Sequence, residues 1–462
     1  SSLKSRNRLL GRTREITEMF CSKTLLIQQE NRNFATLYLL LLIHFFISTI
    51  AMKIIHTADL HLGNVFHQHS RVAEHRHFFQ WLLQTLSTEK PDALIISGDV
   101  FDSPNPSVEV QRLFFDFLTQ CTSENEDMQV VVIAGNHDSG ARIEAAEELL
   151  RQHNIYVRGT VQRKEDVYDF ERNILPLSPR NTSEAAVVCY ALPFLRPMDY
   201  PHGMSVEEGI KYHLQQMDKW HKGSDFKKLP VVVAAHFYAV GAFVNEQEHS
   251  ERLVVGGQDC VSVNDMGKRY AYTALGHIHK PQAVADIETV RYSGSPIALS
   301  FSERDYQRCV MAIELDERGR AEVRAIDYTP LCELLTLPKY GNASPEKLLS
   351  LLADLPKDDG VTPRESWPYL ELHVELSQPE PELRAKIAQM LSDKAVRFCR
   401  VTTETAHRKA QDADNLPSLE TQLEQISPLD LAQRCYQAQF GDEMSPALVQ
   451  RFEKAEQALQ ES

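Results

Sequence analysis

Five short apolar runs, each ending on a polar motif, constrain this chain more than any other feature. Ile54-Ile55 leads to Asp59-Leu60-His61, and Ala93-Leu94-Ile95-Ile96 leads to Gly98-Asp99-Val100-Phe101-Asp102. Val130-Val131-Val132-Ile133 leads to Gly135-Asn136-His137-Asp138, Val231-Val232-Val233-Ala234 to His236, and Tyr272-Thr273-Ala274-Leu275 to Gly276-His277-Ile278-His279. Runs this short and this apolar predict strands buried on both faces. Apolar residues at i, i+3, i+4 spacing predict helices over 72–87, 107–120 and 141–151. Strands alternating with helices imply an α/β layered fold, in which ligands gather beyond the carboxyl ends of the strands. All five motifs fall there.

The motif residues suit a pair of metal ions. Asp59, Asp99 and Asn136 offer oxygens, and His61, His236, His277 and His279 offer imidazole nitrogens. Such mixed donors favour Mn, Fe, Zn or Co over Mg or Ca, which prefer all-oxygen shells. Two ions about 3.5–4 Å apart need a shared ligand, and the central carboxylate of Asp99 is the natural bridge. Paired ions of this kind acidify water and neutralise phosphate oxygens, so the chemistry predicted is phosphoester hydrolysis without a covalent intermediate. His137, next to Asn136, is the candidate to bond the phosphoryl oxygen or protonate the leaving oxygen. Asp102 is the candidate to orient it. His67, His69, His75 and His77 are read as solvated, and His249 is left unassigned. A single His after a strand is more often structural than a ligand, and DxH alone is common by chance. The ordered set of DLH, GDVFD, GNHD, His236 and GHIH is what carries the reading.

At this point the residues resemble a known family, the calcineurin-like metallophosphoesterases. The wording TADLHLG, SGDVFDSPNPS, AGNHDS and ALGHIHKPQ is closest to its branch of bacterial DNA-repair nucleases that work with an SMC-like ATPase of the SbcC type. The resemblance covers essentially Met52 to the C-terminus. It implies a β-sandwich flanked by helices, one metal held by Asp59, His61, Asp99 and His279, and a second held by Asp99, Asn136, His236 and His277. It further implies manganese, His137 as the catalytic histidine, and an ATP-dependent double-strand exonuclease, 3′ to 5′, with single-strand or hairpin endonuclease action. The implied setting is repair, recombination and replication of DNA, the implied partner SbcC, in a heterotetramer of two nuclease and two ATPase subunits.

Composition sets limits on this picture. A length of 462 residues allows two or three domains, at about 150 residues each. The net charge of −15 argues against nucleic-acid binding through bulk charge and leaves room for a local basic groove or a basic partner. The eight cysteines are scattered without a CxxC pair, which predicts buried reduced thiols and a cytoplasmic, nucleoid-associated protein. Residues 1–51 differ from the rest: seven basic and three acidic residues give them +4, leaving −19 elsewhere. They include the apolar run Leu37–Ile50, short for a spanning helix of about 20 residues. We read this segment as a non-native or upstream-translated leader rather than a signal or anchor, because Met52 directly precedes the first strand pattern.

The predicted domains are 52–330, the metallophosphoesterase; 331–403, a small α+β module; 404–426, a linker; and 427–462, two amphipathic helices. A hairpin is expected about Asp316–Gly319. Within the small module, a helix is expected at 344–355 with Ser344 as cap and Pro345 first, then a strand at Tyr369–Leu376, a helix at Pro381–Ser392 and a strand at Ala395–Val401. By resemblance the module is a capping domain acting on DNA. The terminal helices read equally well as an ordinary hairpin or, by resemblance, as the dock for the ATPase coiled coil. The rival functions are a phosphatase or cyclic-nucleotide phosphodiesterase, sharing every ligand, and a silent scaffold. The extra modules speak for a large substrate and a partner, and the complete ligand set speaks against a scaffold.

Overall fold

Valine, isoleucine and alanine runs become strands here because their branched or small side chains pack on both faces of a pleat. In chain order the longer strands are β1 (Ile50–Thr57), β2 (Ala93–Ser97), β3 (Gln129–Ile133), β4 (Ile155–Arg158), β5 (Ile174–Leu177) and β6 (Val187–Leu192). They continue with β7 (Val231–His236), β8 (Tyr272–Gly276), β9 (Gln282–Val284), β10 (Ile287–Tyr292), β11 (Cys309–Asp316) and β12 (Ala321–Asp327). This computed structural model describes residues 50–164, 167–243, 260–376 and 380–405, with the single residues 429, 433, 449, 451 and 452. Most of the expected leader, nearly all of the linker and, those single residues aside, both terminal helices lie outside the described residues, as does His249.

Two six-stranded sheets result, ordered β12-β11-β1-β2-β3-β4 and β9-β10-β8-β7-β6-β5. β1 to β4 run parallel, as do β6, β7, β8 and β10, while β11 lies antiparallel beside β1. The period of two decides which layer each residue joins. Ile54, Ile95, Val131 and Ile133 point into a core shared with Val232, Ala234, Tyr272 and Ala274 of the other sheet. Their neighbours Ile55, Ile96, Val130 and Val132 instead meet Phe78, Phe79, Phe114 and Phe117. Those four come from helices α1 (Val72–Glu89) and α2 (Val108–Ser123). The outer face of the second sheet packs Tyr190, Val233 and Leu275 against Ile210, Leu214 and Met217 of α3 (Val206–Gly223). The first unit is therefore an α/β/β/α sandwich, and the buried-strand reading holds on both faces.

Two expectations are corrected and one element is new. β1 begins at Ile50, so Met52 lies inside the strand, fully buried and paired with Leu315, rather than ahead of it. The helix expected over 141–151 is cut into Gly140–Glu144, Glu147–Leu150 and a 3-10 turn Arg151–His153. Polar anchors direct this segment more than an apolar stripe: Arg158 Nη1 donates to the buried Glu147 at 3.0 Å, and Thr160 donates to Glu144 at 2.7 Å. Helix α3 was not foreseen at all. The hairpin about Asp316–Gly319 does join β11 to β12, with Gly319 at φ +74 and Asp316 accepting from the amides of Arg318 and Arg320 at 2.9 and 2.8 Å.

The chain divides into two compact units, Ser1–Leu334 with Thr362–Tyr369, and Leu335–Val361 with Leu370–Ser462. The second holds a three-stranded sheet of β13 (Leu334–Leu337), β14 (Tyr369–Leu376) and β15 (Arg397–Thr405), in that order. Helices α4 (Pro345–Ala353) and α5 (Leu383–Leu391) cover it through Leu348, Leu352, Leu383 and Ile387, which meet Leu370, Leu372 and Val374. Ser344 caps α4 by accepting from the Lys347 amide at 3.3 Å, one residue before Pro345. The last strand starts two residues later and runs four residues further than the expected Ala395–Val401. No helix among the described residues is long and apolar enough to cross a membrane.

Candidate metal centre

The loops that follow β1, β2 and β3 are stitched to one another before any ligand is considered. The Asp59 amide donates to Gly98 O and the His61 amide to Asp99 O, both at 3.0 Å. The fully buried Asp138 carboxylate accepts from Val100, Phe101 and Gly135 amides at 3.1, 2.9 and 2.8 Å, tying the third loop to the second. Gly135 permits this closeness, since a Cβ there would stand 2.1 Å from Asp99 Oδ1. Asp59, His61 and Asp99 sit at φ +53, +45 and +48, and His277 at φ +108. Left-handed backbone is uncommon outside glycine, and its clustering at four candidate ligands marks a place where geometry outranks local comfort.

All seven predicted ligands converge. Donor atoms of Asp59, His61 and His279 lie within 4.8 Å of one another, and so do those of Asp99, His236 and His277. Asp99 Oδ2 faces both groups, 3.7 Å from His61 Nε2 and 3.3 Å from His236 Nε2. Asn136 Oδ1 lies 3.0 Å from both His236 Nε2 and His277 Nδ1. The first sheet supplies Asp59, His61, Asp99 and Asn136, and the second supplies His236, His277 and His279.

The donor set passes a test for cations. Asp59 Oδ1 accepts from the His277 amide at 2.8 Å, and Asp99 Oδ1 from the His137 amide at 2.9 Å. The other oxygen of each, Oδ2, is buried without a hydrogen-bond partner among the described residues, as is His61 Nε2. Two fully buried carboxylates, each with one oxygen outside any hydrogen bond, are costly unless positive charge meets them, and in this structure a protonated His236 beside Asp99 Oδ2 supplies part of it. The imidazoles are aimed from behind: His236 Nδ1 faces Ser97 O at 2.8 Å and His279 Nδ1 faces Glu303 Oε1 at 3.0 Å, so each ring is oriented through its Nδ1.

Electrostatics agree. Burial pushes the Asp59 carboxyl up, and the nearby Asp99 charge adds to that. Asp99 feels the same burial, but His236, His61 and His137 outweigh it and hold it well below the usual carboxylate range. Burial would lower His236, yet Asp99 and Asp59 together raise it to about 9, so the site attracts positive charge strongly enough to recruit a proton. Glu303 is raised by burial and then drawn down to about 2 by His279 and Arg308.

His137 lies half-buried at the rim, its ring centroid 4.8 Å from that of His61. Its Nδ1 meets the backbone carbonyl of Asp102 at 3.0 Å, whereas the Asp102 carboxylate lies 3.3 Å from His61 Nδ1 and accepts from Asn64 at 3.0 Å. Asp102 thus contacts His137 through its main chain, and its carboxylate serves a ligand candidate instead. Sequence reasoning missed Glu303, Asp138 and the Ser97 carbonyl. Only Asp138 carried a signal, as the last letter of GNHD. The reading of His75 as solvated is wrong: it is fully buried, with Nε2 at 3.0 Å from Leu60 O beneath the first loop. His77 is half-buried and its Nδ1 lies 2.8 Å from Tyr328 Oη.

Comparison with known proteins follows the same lines. A family model described as calcineurin-like phosphoesterase matches residues 52–281, and one described as type 5 capsule protein repressor C-terminal domain matches 330–440. The SbcD component of the nuclease SbcCD from Rhodobacter capsulatus is 34% identical over 79% of this chain and 91% of its own length. The proteins of the same name from Escherichia coli K12 and Bacillus subtilis are 33% and 32% identical, over 54% and 57% of this chain and 62% and 66% of their own lengths. A phosphoesterase match that begins inside β1 and a relative matched along nine-tenths of its length leave one conclusion: the chain belongs to the SbcD family of calcineurin-like phosphoesterases.

Proposed function

We propose that this chain is the nuclease subunit of an SbcC-type complex, hydrolysing phosphodiester bonds of DNA with two divalent ions, manganese by preference. One observation carries the reading: seven donor residues from five strand-end loops meet around two buried carboxylate oxygens that have imidazoles close by and no hydrogen-bond partner among the described residues. Ions bound there would supply positive charge to the phosphate oxygens and acidify the attacking water. The protein's own groups do the rest. Asp99, facing both donor groups, is the shared ligand. His137 Nδ1–H donates to Asp102 O, which fixes the ring's orientation and turns Nε2 toward the rim. As the imidazolium, protonated on both nitrogens, it bonds the phosphoryl oxygen through Nε2–H and passes that proton to the leaving oxygen, returning to neutral imidazole. Glu303 holds His279 against rotation.

The presence of an additional module, matched at 330–440 beyond the phosphoesterase, supports a large substrate and a partner over a small phosphate ester. The complex would act in the cytoplasm, at the nucleoid, on double-strand ends as an ATP-dependent exonuclease and on hairpins as an endonuclease, two nuclease subunits joining two ATPase subunits. The decisive assay compares this chain with and without the SbcC-type ATPase, ATP and Mn²⁺, on hairpin and blunt DNA. Cleavage of small phosphate esters with none of DNA under any of these conditions would sink the proposal in favour of a phosphatase. His137→Leu should retain both ions and lose about 100-fold or more in hydrolysis, within the range for a general acid. Loss of the ions themselves would reassign it as a ligand. Deleting residues 427–462 should abolish co-purification with the ATPase and leave hydrolysis of a simple diester intact. Retained co-purification would place the dock elsewhere.

A further inference from the structure

A file of alternating cations and rings leads outward from the metal centre. Lys280 directly follows His279 in the chain. Its Nζ lies 3.9 Å from the ring centroid of Phe243 and 5.6 Å from that of Tyr306. The Arg308 guanidinium lies 5.5 Å from the Tyr306 ring, and it also bonds Glu303, which faces His279. Burial falls along the file: Arg308 is 3% exposed, Tyr306 is half-buried and Phe243 is 59% exposed.

A lone exposed apolar side chain is ordinary and explains nothing. Phe243 differs in being clamped. Its amide donates to Gln282 Oε1 at 2.7 Å, and Gln282 Nε2 donates to Phe243 O at 3.0 Å and to Lys280 O at 3.3 Å. Gln282 lies three residues after His279, so the Phe243 main chain is tied to the segment that carries a candidate metal ligand. A large, exposed flat ring is thus carried on anchored backbone, with the ammonium of the residue that follows His279 against it, a group of three donors. Interleaved rings and cations suit single strands: rings stack on any base, while cations follow the backbone. Bases inside a duplex are already stacked and offer no free face.

We propose that Phe243, backed by Lys280, is the platform on which an unpaired base stacks while its strand crosses the metal centre. This rests on the DNA reading above and narrows it to strands with a splayed base, as in hairpin loops and frayed ends. The test uses the full chain without Mn²⁺, so that nothing is cut, and hairpins carrying 2-aminopurine in the loop or in the stem. The wild type should quench the loop probe and not the stem probe. Phe243→Ala should abolish that quenching and weaken hairpin binding about 10-fold, equivalent to ~1.4 kcal/mol and within the range for one stacked base. Phe243→Trp should preserve both. Blunt-duplex binding, and Mn²⁺-dependent hydrolysis of bis(p-nitrophenyl) phosphate, should be unchanged in each variant. Undiminished quenching and affinity in Phe243→Ala would overturn the platform. A wild type that hydrolyses the small diester and binds no DNA would overturn the DNA reading instead.

Discussion

Asp99 spends one oxygen on the His137 amide and keeps the other for the centre, facing both groups of imidazoles. Asp99→Asn should therefore cost both ions, not one. Calorimetric titration with Mn²⁺ should show binding fall by more than about 100-fold, since losing even a group behind a ligand costs about 10- to 100-fold. Glu303→Gln belongs to that milder class and should retain both sites at reduced affinity. Buried histidines set a different dependence. Burial lowers His56 to about 3 and His75 to about 4, from 6.5 for an exposed ring. Between pH 6.5 and 4 the unfolded chain binds these protons and the folded chain does not, so stability rises with pH across that window and is lost on acidification. Each contributes a slope of about 1.4 kcal/mol per pH unit. Urea unfolding of His75→Gln should show the slope reduced by about that amount, and an unchanged slope would mean that His75 already titrates normally. The convergence of the candidate ligands was legible because their types and spacings are local to one motif each. Glu303 was not, since it lies 24 positions after His279 and nothing between them announces the contact. His75 was misread although it lies four before Phe79 and seven before Leu82, on the buried stripe of α1.

Elements hold these residues by close approach as much as by bonding. Gly135→Ala should push the third loop off Asp99, with several kcal/mol lost and metal affinity falling with it, because the added carbon would also stand 2.3 Å from the Asp99 backbone nitrogen, which cannot rotate away. Helix α3 offers a contrast far from the ligands. Its capping box, Ser205 accepting from Glu208 N at 3.3 Å and Glu208 returning to Ser205 N at 2.8 Å, begins the element. Ser205→Ala should cost about 1 kcal/mol in urea unfolding and leave Mn²⁺-dependent hydrolysis untouched. That helix escaped notice although S-x-x-E was readable, because its inner face buries His213, Asp218 and His221 and so reads as polar. The parallel strands were the easiest elements to see, since layers on both sides force an unbroken apolar run.

For the whole molecule, the order of strands left no trace in local sequence. β1 sits between β2 and β11, and the pairing of Ile54 with Ile313 links residues more than half the chain apart. No window of neighbours can report such a contact. Metal binding should be felt at this scale too, because the ligands come from both sheets. Mn²⁺ at about 100 times its dissociation constant should stabilise the fold by ~2.7 kcal/mol if the unfolded chain does not bind it, and chelation should reverse the rise in Tm. A thermal scan that ignores Mn²⁺ would contradict the assigned centre. The place of β11 also bears on synthesis. A ribosome adds about 5–20 residues per second, so on the order of tens of seconds separate the emergence of β1 from that of the strand beside it. Through that interval β1 is an open edge, and until residue 279 emerges the set of donors is incomplete. A phosphoesterase of this topology is born inert: the part that leaves the ribosome first folds around a centre whose last donors are still to be made.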